Sequence, residues 1–211
     1  MEDSNTREKI LKGAAGLFMK YGVRSISMDD IARHLSVSKK TLYQHFADKE
    51  DIVTLVFREL LEENQREMEE AHRLAVNAID ELARLSTCMK KNVEEMNTSL
   101  LFDLQKYYPK AWAVWQDFKQ RCVYESIKRN VDQGIAEGNY RPEVNAEIVS
   151  IMRMALVEIT FDDKTFPLDK FKFAEVQMQI FDHFVYGVVT EQGKKLYEKC
   201  REFKPAEIVN R

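Results

Sequence analysis

Apolar residues recur every three or four positions along most of this chain, which is the spacing of one face of an α-helix. In the first segment the pattern runs through Ile10, Ala14, Leu17, Phe18 and Tyr21. Only 7 glycines and 4 prolines occur in 211 residues, and no segment shows the alternation typical of a β-strand. Because 45% of the residues are hydrophobic, the chain can bury a sizeable core. The sequence therefore predicts an all-α protein of one or two domains.

The first 70 residues divide into helices separated by short turns. Each predicted helix begins at a residue whose side chain can accept hydrogen bonds from free backbone N–H groups: Asn5, Ser27, Ser38 and Asp48. Gly22 ends the first helix, and Ser36 with Val37 forms the turn before the third. We predict three helices in a domain at residues 1–50. A long exit helix at 48–70 joins this domain to a second one at 51–211.

The third predicted helix, SKKTLYQHF at residues 38–46, is polar on most of its circumference. At about 100° per residue, Leu42 and Phe46 share one side, and Lys40 and Gln44 lie on the opposite side. Lysine and glutamine can read base edges in the major groove, and hydroxyl and backbone N–H groups can hold phosphate. With the preceding segment MDDIARHLSVS, the pattern predicts a helix-turn-helix. The alternative is a solvated surface helix.

The distribution of charge favours the first interpretation. The whole chain has a formal net charge of −3 and a pI of about 5.9, which argues against general coating of nucleic acid. Between residues 20 and 49, however, the sequence contains six Lys and Arg residues but only three Asp residues. The basic part of the protein is therefore small and N-terminal.

The run SISMDDIARHLSVSKKTLYQHFADKEDIV resembles the DNA-binding domain of the tetracycline-repressor (TetR) family, and GIAEGNYRPEVN at 134–145 is similar to a stretch common in that family's second domain. The resemblance implies phosphate contacts from one group of residues: Ser27, Ser38, Thr41, Tyr43, His45 and Lys49. It implies that Lys39, Lys40 and Gln44 approach base edges. Lys49, in the first turn of the exit helix, is expected to be exposed. Two departures stand out. Many members carry glycine at the position of Ser36, so we expect the tight turn to accept a side chain here, and many carry a small residue at the position of Lys40.

Beyond residue 70 we predict helices at 74–97, 99–107, 109–136, 144–162 and 169–190, with a short tail helix at 194–201. The helices at 144–162 and 169–190 carry apolar residues on more than one face, which indicates two neighbours for each. The resemblance implies that they pair with their copies in a homodimer. The predicted interface consists of Ile148, Ile151, Met152, Ala155, Ile180, Phe181, Phe184 and Val188. A monomeric bundle is the alternative.

The resemblance also implies a small-molecule pocket in the second domain. Its candidate residues are aromatic or methionine side chains: Met89, Met96, Phe102, Trp112, Trp115, Phe118, Met152 and Phe161. They would suit an apolar or aromatic effector, and ordinary core packing is the alternative. The implied function is a ligand-responsive regulator, most often a repressor, that binds palindromic operator DNA as a homodimer and is released by its effector.

Other classes of protein find less support in the sequence. Glu69-x-x-His72 has the spacing of a di-iron ligand pair, but a ferritin-like enzyme needs a second such motif, so we expect neither a metal site, a cofactor nor an enzyme. A helix-turn-helix protein that no longer binds DNA is a third possibility.

The three cysteines, Cys88, Cys122 and Cys200, are widely spaced and predict free thiols in the cytoplasm. No apolar run is long enough to span a membrane.

Overall fold

The computed structural model describes residues 2–95, 97, 99–162, 164–167 and 169–202. Its α-helices are α1 (Glu2–Tyr21), α2 (Met28–Leu35), α3 (Lys39–His45), α4 (Lys49–Leu74), α5 (Ala78–Glu95), α6 (Leu100–Tyr107), α7 (Pro109–Phe118), α8 (Tyr124–Ala136), α9 (Ala146–Ile159), α10 (Phe173–Val188) and α11 (Glu191–Glu202). A π-helical segment, Lys119–Val123, joins α7 to α8. Within the described ranges the one β-type pairing is an isolated bridge between Tyr140 and Val189. The prediction of an all-α fold is confirmed.

Most predicted helix positions agree with the structure, and the differences lie at the helix ends. Helix α1 already includes residue 2, so the prediction that Asn5 caps it is wrong, because Asn5 lies inside the helix. The exit helix continues to Leu74, four residues beyond its predicted end. The tail helix is longer than predicted and begins at Glu191, directly after the bridge at Val189.

The chain folds into two compact units. The first comprises Met1–Asn64 and Glu95–Phe118, and the second comprises Gln65–Glu94 and Lys119–Arg211. Helix α4 contributes residues to both units. The predicted division into residues 1–50 and 51–211 concerns function and stays a prediction.

The first unit holds α3 in place through a small apolar core. Leu42 and Ile31 are 0% exposed and Phe46, which follows α3 directly, is 2% exposed, so these apolar residues of α2 and α3 are fully buried. Helices α1 and α2 approach closely at Gly13, where an added Cβ would lie 2.4 Å from Cδ2 of Leu35. The polar side of α3 is consequently directed away from this core.

The second unit is organised around a buried polar network. The Glu81 carboxylate, 1% exposed, accepts hydrogen bonds from Arg129 at 2.8 Å and from Asn130 at 2.9 Å. The hydroxyl of Tyr140 donates to Oδ1 of Asn130 at 2.7 Å, and the Tyr140 ring packs directly against Gly134. This network ties α5 to α8 and to the loop after α8, and it fixes the part of the apolar core that lies around Tyr140.

Candidate nucleic-acid interface

The turn between α2 and α3 is made by a residue in the left-handed region. Ser36 has φ 55° and ψ 39°, and its backbone N–H donates to the carbonyls of Ala32 and Arg33. The N–H of Val37 also donates to the Ala32 carbonyl, at 3.0 Å. These bonds satisfy the last carbonyls of α2 and reverse the chain within two residues. The expectation that this turn accepts a side chain where glycine is usual is confirmed.

The start of α2 carries a reciprocal cap. The Ser27 hydroxyl accepts from the Asp30 N–H at 3.2 Å, and the Asp30 carboxylate accepts from the Ser27 N–H at 2.9 Å. The Ser27 hydroxyl also donates to the same carboxylate at 2.6 Å. These hydrogen bonds lower the pKa of Asp30, with the Ser27 hydroxyl as the largest cause. Ser27, a predicted phosphate contact, is therefore already engaged by the helix that it caps.

Helix α3 presents two unpaired polar side chains on its outer face. Lys40 and Gln44 are exposed, and neither forms a hydrogen bond or an ion pair within the described part of the chain. They lie one helical turn apart, on the side opposite the fully buried Leu42. Tyr43, beside them, is 50% exposed. Lysine and glutamine in this arrangement can reach neighbouring base edges in one groove.

The start of α3 is fixed by its own hydroxyl groups. The Ser38 Oγ accepts from the Thr41 N–H at 3.0 Å and lies 2.7 Å from the Thr41 Oγ1. One of these two hydroxyls donates to the other, and both side chains remain at the protein surface. They can accept or donate one further bond to a phosphate oxygen.

Lys39, at the start of α3, and Lys49, at the start of α4, are held by neighbouring side chains, unlike Lys40. The Lys39 ammonium lies 2.9 Å from an Asp29 carboxylate oxygen, and this bond raises the pKa of Lys39. Lys49 is half-buried, with its ammonium 5.6 Å from the centre of the Tyr108 ring. Burial lowers the pKa of Lys49. The expectation that Lys49 is exposed is therefore wrong, because a residue distant in sequence covers it.

Arg7, which no sequence motif links to α3, contacts the aromatic end of this helix. The guanidinium of Arg7, on α1, lies 5.5 Å from the centre of the Phe46 ring. The half-buried His45 ring is 6.3 Å from the same ring, at an interplanar angle of 53°. Arg7 thus adds a positive charge next to α3, and no local motif could have linked it to residue 46.

The comparisons with known proteins agree with this geometry. The model of the family described as bacterial regulatory proteins, tetR family, matches residues 10–56, which span the helix-turn-helix and the start of α4. The chain thus matches the TetR family over its helix-turn-helix segment. It is therefore related to transcriptional regulators, and its helix-turn-helix is the part that the family model recognises.

Three similar proteins extend the likeness beyond the helix-turn-helix. The repressor KstR2 of Mycolicibacterium smegmatis is 23% identical over 151 residues, 70% of this chain and 74% of that protein. A regulator from Saccharomonospora viridis, crystallised with choline, superposes with a TM-score of 0.71 at 20% identity and covers 89% of this chain and 100% of its own. FadR from Bacillus subtilis, in complex with stearoyl-CoA, gives 0.63 at 17% identity, with coverage of 85% and 98%. These two structures share the fold of this chain.

The residues predicted to line an effector pocket fall into two groups in the structure. Phe102, Trp112, Trp115 and Phe118 belong to the first unit, whereas Met89, Met152 and Phe161 belong to the second. Met96 lies outside the described residues. Within the second group, Met152 is 56% exposed on the outer face of α9, and Phe161 stacks on Phe173 at 5.3 Å.

A cavity of about 240 Å³ lies within the second unit at a place that the sequence did not indicate. Its lining comes from α4, α5 and α11: Glu67, Glu70, Ala71, Leu74, Asp80, Ala83, Arg84, Thr87, Cys88 and Cys200. None of the predicted pocket residues is among them. Burial raises the pKa of both thiols, so they are poor nucleophiles at neutral pH.

The residues predicted to form a dimer interface separate by helix. On α9, Ile148, Ile151 and Met152 are each 56% exposed, and Ala155 is exposed as well. Ile159, 40% exposed, extends this apolar stripe by one turn. On α10, Phe181, Phe184 and Val188 are at most 8% exposed because they fill the core of their own unit, and Ile180 is partly buried.

Glu69 and His72, which have the spacing of a metal-ligand pair, contact different residues. Glu69 accepts a hydrogen bond from Gln65 at 2.7 Å, whereas Nδ1 of His72 lies 3.3 Å from the Glu81 carboxylate. Among the described residues no group of three or more His, Cys, Asp and Glu side chains could hold a metal ion. None of the described helices is both long and apolar enough to cross a membrane.

Proposed function

We propose that this protein is a ligand-responsive repressor that binds palindromic operator DNA as a homodimer and leaves it when a small molecule binds. The observation that carries the proposal is the exposed Lys40–Gln44 pair on α3, held outward by a fully buried opposite face. Two unpaired side chains with base-reading chemistry occur on the helix that the family model matches. The name of the relative KstR2, a repressor, supports the direction of regulation.

The proposed DNA contacts follow from exposure and partners. Lys40 and Gln44 contact base edges, and Lys39 joins them once its ion pair with Asp29 opens. A second group contacts phosphates: Ser27, Ser38, Thr41, Tyr43, His45 and Lys49. Because Ser27 and Lys49 are already engaged within the protein, we expect them to contribute less than Tyr43.

Selection of preferred duplexes from random DNA tests this part of the proposal. The purified wild-type protein should enrich a palindrome whose half-sites are about one helical turn apart. Replacing Lys40 or Gln44 with alanine should weaken operator binding by about 1–3 kcal/mol, which is roughly tenfold to hundredfold. Lys199→Ala, which removes an exposed lysine from α11, is the matched control and should bind normally. Weak retention of all duplexes alike would instead identify a protein that has lost specific DNA binding.

The proposed dimer is supported by the apolar stripe on α9. Four large apolar side chains at 40% to 56% exposure follow one another along this helix: Ile148, Ile151, Met152 and Ile159. A continuous exposed apolar patch marks an interaction surface, and a palindromic operator requires two copies of α3. We propose that α9 contributes most of the interface, while the buried α10 residues support it from within.

Sedimentation equilibrium of the full chain tests the dimer. Ile151→Glu places a charge in the centre of the stripe and should shift the protein from dimer to monomer. Val76→Glu is the matched control, because Val76 is 83% exposed and lies in the connection between α4 and α5. A dimer that survives Ile151→Glu would exclude the α9 stripe as the interface.

The effector is proposed to bind in the second unit. Two structural relatives contain small molecules, choline in one and stearoyl-CoA in the other. A ligand releases DNA only if it binds more tightly to the conformation that does not fit the operator. Helix α4, whose residues belong to both units, is the proposed connection between the two events.

A further inference from the structure

Arg153 on α9 is a buried cation with no anionic partner among the residues that the structure describes. Only 5% of the residue is exposed, and its Nη1 atom is buried without a hydrogen-bond partner among the described residues. Its Nη2 atom lies 3.8 Å from the sulfur of Met89. Burial lowers the pKa of Arg153 to about 10, so the guanidinium still carries its charge at neutral pH.

The surroundings of Arg153 are apolar and aromatic. The guanidinium lies 5.4 Å from the centre of the Phe181 ring and 6.0 Å from that of Phe184, and Met89 packs beside it. Cation–π contacts recover only part of the hydration that a guanidinium loses on burial. A buried arginine is normally paired with a carboxylate or phosphate, because its planar fork matches two anionic oxygens. Within the described part of the chain, the site therefore holds a cation without a counter-anion.

The direction of Arg153 excludes a partner copy docked on the α9 stripe as the source of that anion. With about 100° per residue, Arg153 lies on the same side of α9 as Ser150 and Met154, both of which are buried. The exposed stripe containing Ile148 and Ile151 lies on the opposite side. A subunit that docks on the stripe approaches the wrong face, and none of the described residues supplies the anion, which leaves a molecule bound within the second unit as its source.

We propose that Arg153 binds the anionic head group of the effector, and that the effector is an amphipathic carboxylate or phosphate with an apolar body. The head group contacts Nη1, and the apolar body packs against Phe181, Phe184 and Met89. Met89 is partly buried and unbranched, so it can move aside to admit the ligand. This assignment rests on the effector-controlled function proposed above and specifies the chemistry of its ligand.

Thermal unfolding and calorimetric titration of the full-length wild-type protein test the proposal with three probes of equal chain length. Decanoate and decyl phosphate carry the anion, and decanamide keeps the apolar chain without the charge. We expect at least one anionic probe to raise the melting temperature and to bind tenfold or more tightly than the amide. The probe that binds better distinguishes a carboxylate effector from a phosphate effector.

Substitutions then connect the preference to one residue. Arg153→Met keeps the length of the side chain and should reduce binding of the anionic probe to the level of the amide. Arg153→Lys keeps a charge but not the fork, so it should retain part of the preference and serves if the methionine variant does not fold. Arg201→Met is the matched control, because Arg201 is partly exposed and already paired with Asp182 at 2.9 Å. Its affinity for the anionic probe should stay within twofold of the wild type.

Three results would overturn the assignment: equal affinity for acid and amide, no stabilisation by either anionic probe, or unchanged anion binding in both Arg153 variants. None of these measurements contains DNA. A protein that binds decanoate through Arg153 but retains no duplex would therefore refute the repressor function while the anion site stands. A protein that selects a palindrome but ignores the anions would refute the site alone.

Discussion

Replacing Ser36 with glycine should stabilise the helix-turn-helix. Ser36 has φ 55° and ψ 39°, where a non-glycine L residue costs about 1–2 kcal/mol. Glycine avoids this cost, but the additional freedom of the unfolded chain offsets about 0.4–1 kcal/mol of the gain. The Ser36 side chain is exposed, so its removal leaves no cavity. We expect a net stabilisation of about 0.5–1 kcal/mol, or roughly a twofold to fivefold shift in the folding equilibrium.

Hydrogen exchange is the appropriate assay, because it reports on this segment rather than on the whole chain. Amides of α2 and α3, including that of Val37, which donates to the Ala32 carbonyl, should exchange about twofold to fivefold more slowly in Ser36→Gly. Ser36→Ala is the control, since alanine keeps the backbone cost while losing the hydroxyl, and its exchange should match the wild type. Unchanged or faster exchange in Ser36→Gly would show that the turn is not strained. An equal gain in Ser36→Ala would assign the effect to the side chain instead.

Three further predictions concern packing, pH and thiol reactivity. Gly134→Ala would place a Cβ 2.3 Å from the buried Tyr140 ring and should lower stability by about 1–3 kcal/mol in urea unfolding, whereas Gly187→Ala, with nothing within 4 Å of the new Cβ, should not. Because the pKa of Asp30 is lowered in the folded protein, its ionised carboxylate stabilises the fold at pH values above the ordinary pKa of 3.8, and this contribution is lost as the pH falls through the folded pKa. Ser27→Ala should raise the pKa of Asp30 in an NMR titration, and an unchanged pKa would contradict the cap. Cys88 and Cys200, whose thiol pKa values burial raises, should react with iodoacetamide at pH 8 more slowly than a peptide thiol and at the normal rate in urea; fast labelling of the folded protein would contradict their burial.

Much of the first unit could be predicted because its signals are local. The caps Ser27 and Ser38, the stop at Gly22 and the turn at Ser36 all act through hydrogen bonds to residues at most four positions away. Such signals depend on a few consecutive residues and are visible without knowledge of the fold. The inward Leu42 and the outward Lys40 follow from helical periodicity in the same way.

The restraints on the candidate contact residues could not be predicted from local patterns. Lys39 and Lys40 are adjacent in sequence and chemically identical, yet only Lys39 is paired, because Asp29 on the preceding helix lies within reach. Lys49 is covered by Tyr108, which belongs to a helix connection far along the chain. These neighbours, which are not adjacent in sequence, decide which lysine side chains are unpaired at the surface.

The interface and pocket predictions show the same limit in the second unit. Periodicity identified apolar stripes on α9 and α10 but could not tell which stripe faces solvent, because an apolar side chain looks the same in a core and in an interface. Arg153 shows the converse limit, because sequence patterns predict that a charged residue in an apolar helix is exposed. Its burial depends on Phe181, Phe184 and Met89, which only the packed unit brings around it.

Local sequence specifies α2 and α3, their caps at Ser27 and Ser38, the turn at Ser36 and the polar outer face of α3, because each depends on interactions within one or two helical turns. The tertiary structure alone decided which of these polar groups are free and which apolar faces remain exposed. It also buries Arg153 at a place where no described residue supplies an anion. Burial and pairing are set by the sum of neighbours from distant parts of the chain, and that sum exists only once the chain has folded.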